Sequence, residues 1–165
     1  MNFGSLGETL VQTDSAVALL GDQTHFTGRD RSATYRWFTE PDSRRIHPAE
    51  DHPHHSRVKA AQLRASAAQA GPDSEAAALA RHLVATNEEF ATLWDEGSVG
   101  LRYTEEKRFE HPEVGSFSLF CQLVVDLDQM QSLLVFTATP GSESAEKLAL
   151  LMVLGAQRLG SGQPA

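Results

Sequence analysis

Apolar side chains alternate without interruption at Phe117, Leu119, Cys121, Leu123, Val125 and Leu127. A strand points successive side chains to opposite faces, so a period-two run this long requires a sheet with one buried and one solvated face. That is the signature of an antiparallel sheet, since parallel sheets are covered on both faces and read as continuous apolar runs. The neighbouring segments supply partners. Asp126 to Gln129 turns the chain back into Leu133-Leu134-Val135-Phe136, the expected last strand. Upstream, Val99, Leu101 and Tyr103 alternate ahead of a charged turn at Thr104-Glu105-Glu106-Lys107. Arg108-Phe109-Glu110 then leads into a turn at His111-Pro112-Glu113-Val114-Gly115.

The chain before this meander has a different period. Ser56 to Ala70 is rich in Ala, Arg, Gln and Lys, which predicts a helix stopped by Gly71-Pro72. Asp73 or Ser74 caps a second helix with Leu79, Leu83 and Val84 on one face. Thr86 to Glu89 fits a capping box and starts a third, carrying Phe90, Leu93 and Trp94 and ending at Gly97. Nearer the start, Glu8 to Thr13 is β-prone, Asp14 or Ser15 caps an apolar turn at Ala16 to Leu20, and Thr24 to Thr27 suggests another short strand. Ser32 to Phe38 is a dense aromatic patch closed by Glu40-Pro41-Asp42, and Ile46 to His55 reads as an irregular connection. After the meander, Pro140-Gly141 stops the last strand and Ser142 caps an amphipathic helix with Leu148, Leu151, Met152 and Gly155.

One or two strands, a helical block, an antiparallel meander and a closing helix make an α+β chain. An antiparallel sheet with helices packed on one side is the PAS-like arrangement in outline. A length of 165 residues suits one domain. The expected boundaries are a flexible segment at 1–6, the PAS-like ligand-binding domain at 7–158 and a flexible tail at 159–165.

Charge and composition narrow the function. The net charge of −8 outweighs the local group Arg29, Arg31, Arg36, Arg44 and Arg45, so a DNA-binding face is not expected on this surface. No apolar run is long enough to span a bilayer, and Met1 to Ser5 lacks the features of a secretory signal. A single cysteine fits a reducing compartment, and the cytoplasm is the expected location.

Standard catalytic signatures are missing: no GxSxG, HExxH, CxxC, Walker loop or dinucleotide glycine pattern is present. The expectation is therefore no enzyme and no cofactor. Cys121, mid-strand among apolar neighbours, reads as a buried inert thiol. His47 and the run Glu50-Asp51-His52-Pro53-His54-His55 hold groups that can ligate a metal. Yet the i, i+4 pairing is absent within the run, so a structural role is expected and no metal residue is assigned. The aromatic residues say more. Alanine-rich helices facing a curved sheet leave space, which predicts an apolar cavity between sheet and helices. Its expected lining is Tyr35, Trp37 and Phe38 at one end, Phe90 and Trp94 from the helices, and Phe117, Leu119, Cys121, Leu133 and Val135, or the alternates of the last pair, from the sheet. The Tyr35 hydroxyl or a nearby arginine is expected to meet a carboxylate head group.

Five blocks resemble, in order, the ligand-binding domain of the MmyB-like transcription regulators, helix-turn-helix proteins of the XRE type from bacteria. They are Tyr35-Arg36-Trp37-Phe38-Thr39-Glu40-Pro41 followed by Arg44 or Arg45, then Ala61-Gln62-Leu63-Arg64-Ala65, then Glu89-Phe90-Ala91-Thr92-Leu93-Trp94, where Asn87 or Thr86 stands for a usual serine. His111-Pro112-Glu113-Val114-Gly115 and Leu134-Val135-Phe136-Thr137-Ala138-Thr139-Pro140-Gly141-Ser142 complete the set. The likeness covers roughly residues 6 to 157. It implies a PAS-like fold and an effector-sensing role in a transcription regulator, with a bound fatty acid or similar apolar small molecule and a homodimer as expected partners. No helix-turn-helix precedes Gly7, so DNA contact is expected only through a domain not in this chain. The alternatives are a dimerisation and interaction module without ligand, and a metal-binding protein using His47 to His55.

Overall fold

The chain opens with two short strands, β1 (Asn2–Phe3) and β2 (Thr9–Val11), and the helix α1 (Asp14–Leu20). The helical block consists of α2 (Ala33–Thr39), α3 (His52–Ala70), α4 (Glu75–Thr86) and α5 (Glu88–Glu96). The meander is β3 (Glu105–His111), β4 (Gly115–Asp126) and β5 (Gln131–Thr137), and α6 (Glu143–Gly160) closes the chain. These elements come from a computed structural model that describes residues 1–4, 6–98, 105–126, 128 and 131–160. All strands join one antiparallel sheet in the order β2-β1-β5-β4-β3. This is the expected α+β, PAS-like architecture.

The period-two run sets the two faces of that sheet. Phe117, Leu119 and Cys121 of β4 are buried, as is Phe109 of β3, which pairs with Phe117. Phe120, Val124 and Leu133 lie on the opposite face and are exposed. Helices cover only the first face. At one end of it, Leu19 of α1 and Leu151 of α6 join Phe109, Val114, Phe117 and Leu119 in a buried cluster. A second cluster lies within the helical block, where Trp37, Phe38, Ala60, Leu63, Leu79, Ala80, Leu83 and Phe90 pack together. Small side chains make this close packing possible: Ala60, Ala61, Ala76, Ala77 and Ala80 are all buried between α3 and its neighbours. The helical block makes few close backbone approaches to the sheet.

Local chemistry explains where the boundaries differ from expectation. Residues 1–4, expected to be flexible, instead enter the sheet: Asn2 and Phe3 pair with β2 and β5, and Met1 exchanges backbone hydrogen bonds with Leu134. α1 is capped one residue earlier than expected, by Thr13, whose Oγ1 accepts from Ala16 N. No strand forms at 24–27, because the Asp22 carboxylate accepts from both Thr24 N and Thr24 Oγ1 and holds a turn there. α3 starts at His52 inside the expected irregular connection. Pro53 in its first turn is no obstacle, since that turn needs no N–H from it. The expected charged turn at 104–107 is instead the start of β3 from Glu105 on. Glu105 and Lys107 turn inward and pair with each other at 2.8 Å, which lets charges occupy the inner face. Asn87 rather than Thr86 caps α5, its Oδ1 accepting from Phe90 N at 2.8 Å. The alternation at Val99, Leu101 and Tyr103 lies outside the described residues, as do Leu127, Gln129 and residues 161–165 of the tail.

α1 and α6 pack together at Gly155, where a Cβ would meet the Ala18 Cβ and the Asp14 carbonyl oxygen at 3.0 Å each. Backbone cannot yield as a flexible side chain can. Gly155→Leu is therefore expected to overpack this contact and destabilise the domain by about 1–3 kcal/mol, read as a lower urea midpoint with an unchanged slope.

Candidate ligand-binding site

Between the two hydrophobic clusters lies a cavity of about 580 Å³. Trp37 and Leu63 of the helical cluster form one wall, with Val58 and Gln62 of α3 beside them. Phe109, Cys121, Leu123, Leu134 and Phe136 of the sheet form the other. Phe3, Leu6 and Phe26 close a third side. Exposure rises along both walls toward an open end. On β4 it runs from Cys121 at 2% to Val125 at 54%, and on α3 from buried Val58 to exposed Ala65 and Gln69. The inner end is polar: it gathers His47, His55 and Lys59 against the Trp37 ring, and Lys107 lines the same cavity.

Of the residues expected from sequence, Trp37 and Cys121 face this space. Tyr35, Phe38, Phe90 and Trp94 turn the other way, into the helical cluster. Phe38 meets Phe90 edge-on at 5.0 Å, and Phe90 stacks on Trp94 at 5.4 Å. A single apolar face on α5 serves its helical neighbours α3 and α4, so the i, i+4 spacing of Phe90 and Trp94 reports helix packing here. Phe117 and Leu119 are on the inner sheet face but sit under α1 and α6. Leu133 and Val135 point to the outer face, and their alternates Leu134 and Phe136 line the cavity. Tyr35 lies against His82, away from the cavity, while Arg36 lines it. Sequence reading missed the contribution of α3 altogether. Its Val58, Lys59, Gln62 and Ser66 recur at i, i+3 and i+4 spacing, a polar and apolar stripe that propensity alone does not mark.

Trp37 is fixed by a chain of hydrogen bonds through three helices. Its indole Nε1–H donates to Ser56 Oγ at 2.8 Å, and the Ser56 hydroxyl donates to Glu89 Oε1 at 2.5 Å. Arg44 donates from Nη2 to Glu89 Oε2 at 2.7 Å and from Nε to the Trp37 carbonyl at 2.8 Å. Burial raises the Glu89 carboxyl, but the bonds from Arg44 and Ser56 outweigh it and hold the group below its ordinary range. Arg45, by contrast, pairs with Asp42 on the open surface. The model of the MmyB-like transcription regulator ligand binding domain matches residues 3–151. The chain belongs to that family. No curated protein and no solved structure matches it. The aromatic block and the Glu89-Phe90 block that carry the MmyB-like resemblance thus meet in space, joined through Ser56 and Arg44.

His47, His52 and His54 take separate hydrogen-bond partners. His47 Nδ1 lies 2.8 Å from the Arg108 carbonyl, His52 Nε2 lies 3.0 Å from the His47 carbonyl, and His54 Nε2 lies 2.7 Å from Glu105 Oε2. Among the described residues, no three His, Cys, Asp or Glu side chains converge as metal ligands. Burial pushes the Cys121 thiol up, away from a reactive thiolate.

Two predictions follow from this geometry. Ser56→Ala leaves the indole N–H of Trp37 without an acceptor and is expected to cost about 1–3 kcal/mol in urea unfolding. Burial also pushes His47 down to about 4 and His55 down to about 2. Both stay neutral in the fold while the unfolded chain takes up protons below pH about 6.5, so stability present above that pH is lost as pH falls toward 4. His55 is 5% exposed, and its share of the slope approaches about 1.4 kcal/mol per pH unit. His55→Asn should flatten that part of the urea-midpoint profile between pH about 6.5 and 4.

Proposed function

We propose that this domain senses a fatty acid or similarly apolar small molecule and passes its occupancy to a helix-turn-helix domain outside these residues. The observation that carries this reading is the cavity itself. Its volume of about 580 Å³ falls within the range of about 300–1,000 Å³ typical of small-molecule sites, and Phe109, Cys121, Leu123, Val125, Leu134 and Phe136 give its sheet wall a mainly apolar surface. Membership of a ligand-binding domain family favours a sensor over a catalyst, and the cavity favours a sensor over an interaction module with a filled core. A net charge of −8 supports placing DNA contact elsewhere. Among the described residues no helix is long and apolar enough to cross a membrane, which accords with action in the cytoplasm. The same reading takes the domain to work as a homodimer. What supports this is an outer sheet face that leaves Phe120, Val124 and Leu133 uncovered.

The test separates space from packing. Leu123 is half-buried on the sheet wall, so Leu123→Trp fills the cavity without displacing a tightly packed neighbour. The variant is expected to unfold within about 1 kcal/mol of the parent and to lose the thermal stabilisation that dodecanoate gives the delipidated parent. A filled core would instead be destabilised by about 1–3 kcal/mol, with no dodecanoate shift in the parent.

A further inference from the structure

The inner end of the cavity holds a positive charge that no carboxylate among the described residues pairs with. Lys59 projects from α3 into the cavity, with Nζ 5.4 Å from the centroid of the Trp37 ring. Among the described residues nothing accepts a hydrogen bond from it. Its cationic neighbours are differently placed. Lys107 of β3 is paired with Glu105 at 2.8 Å, and Arg36 of α2 donates to the Asp30 carbonyl and to Gln23 Oε1. Around Lys59 stand His47 from the loop before α3, His55 from α3 and Cys121 from β4, none of them an anion at neutral pH. His55 is enclosed within ring contact of Trp37, at 5.7 Å, and its Nε2 has no partner. A purely hydrocarbon occupant would strip water from the Lys59 ammonium and offer nothing in return, which is costly for a charged group. A carboxylate supplies both the counter-charge and the hydrogen-bond acceptor.

We propose that Lys59 is the anchor for the head group of a monoanionic amphiphile, a carboxylate seated against Lys59 and His55 with its tail running past Leu123 toward Val125. The proposal rests on the ligand-sensing reading above and adds to it a required negative charge and the residue that reads it. Burial, reinforced by Lys107 and Arg36, pushes the Lys59 ammonium down to about 8, so it is charged at neutral pH and loses its proton just above. A bound carboxylate holds the proton in place, so affinity for the anion falls as pH rises through about 8. Affinity for an uncharged amphiphile does not follow that course.

The experiment titrates dodecanoate and 1-dodecanol into the delipidated chain, following tryptophan fluorescence, since Trp37 lines the site. At neutral pH dodecanoate is expected to bind about tenfold or more tightly than the alcohol. Lys59→Met should weaken dodecanoate about tenfold or more while shifting dodecanol less than about threefold. Lys59→Arg, which cannot lose its proton, should keep its preference for the acid above pH about 8, where the parent's preference fades. The parent's pH profile reads the same property without a substitution. Equal binding of acid and alcohol at every pH, unaltered in Lys59→Met, would overturn the anchor and leave the apolar cavity standing. Failure of both probes to bind the parent would overturn the ligand-sensing reading itself, and the anchor with it.

Discussion

A buried indole N–H must find an acceptor, and in this domain that requirement organises the helical block. Trp37 is 2% exposed, and its indole N–H donates to Ser56, itself 1% exposed. Ser56 then has a hydroxyl proton to place, which Glu89 accepts, and the Arg44 guanidinium pairs with the Glu89 carboxylate at 2.7 Å. Each partner comes from a different element, so the network sets α2, α3, α5 and the short turn Pro41–Arg44 against one another. The consequence reaches the cavity. Trp37 is both the head of this network and a wall of the cavity beside Lys59.

The sheet was legible from the period of β4, because alternation over that length has only one structural solution. Antiparallel pairing and the buried face of Phe117, Leu119 and Cys121 follow from it. β3 was harder to read since Glu105 and Lys107 occupy inward positions and disguise the alternation as a charged turn. Their mutual ion pair and the His54 contact, both tertiary, make that placement tolerable. β1 carried no signal at all: two residues are too few for a period, and their order depends on a sheet edge supplied by β5, more than a hundred residues along the chain.

The candidate site divides along the same physical line. Aromatic residues mark burial, and for Phe90, Trp94, Phe38 and Tyr35 burial means helix packing, which sequence cannot separate from cavity lining. The choice between Leu133 and Leu134, or Val135 and Phe136, is a register question that only pairing with β4 decides. What did distinguish the site is unfavourable chemistry. Among the described residues, an ammonium with no hydrogen-bond acceptor and an imidazole with an unsatisfied Nε2 are costs the fold bears beside the cavity.

Those costs bear on how occupancy can be transmitted. The helical block is tied to the sheet along β3, where Arg108 pairs with Glu50 and Asp51 and His54 of α3 meets Glu105, and the cavity lies beyond that seam. An occupant would contact Trp37 and Leu63 on one side and Leu123, Leu134 and Phe136 on the other, adding a second link between the helical block and the sheet. On the proposed reading, binding would add to the coupling between the helical block and the sheet. The outer sheet face would feel that coupling directly. Leu133 alternates with Leu134, and Val135 with Phe136, along the same strand, so whatever shifts the inner residues also shifts the exposed apolar surface behind them.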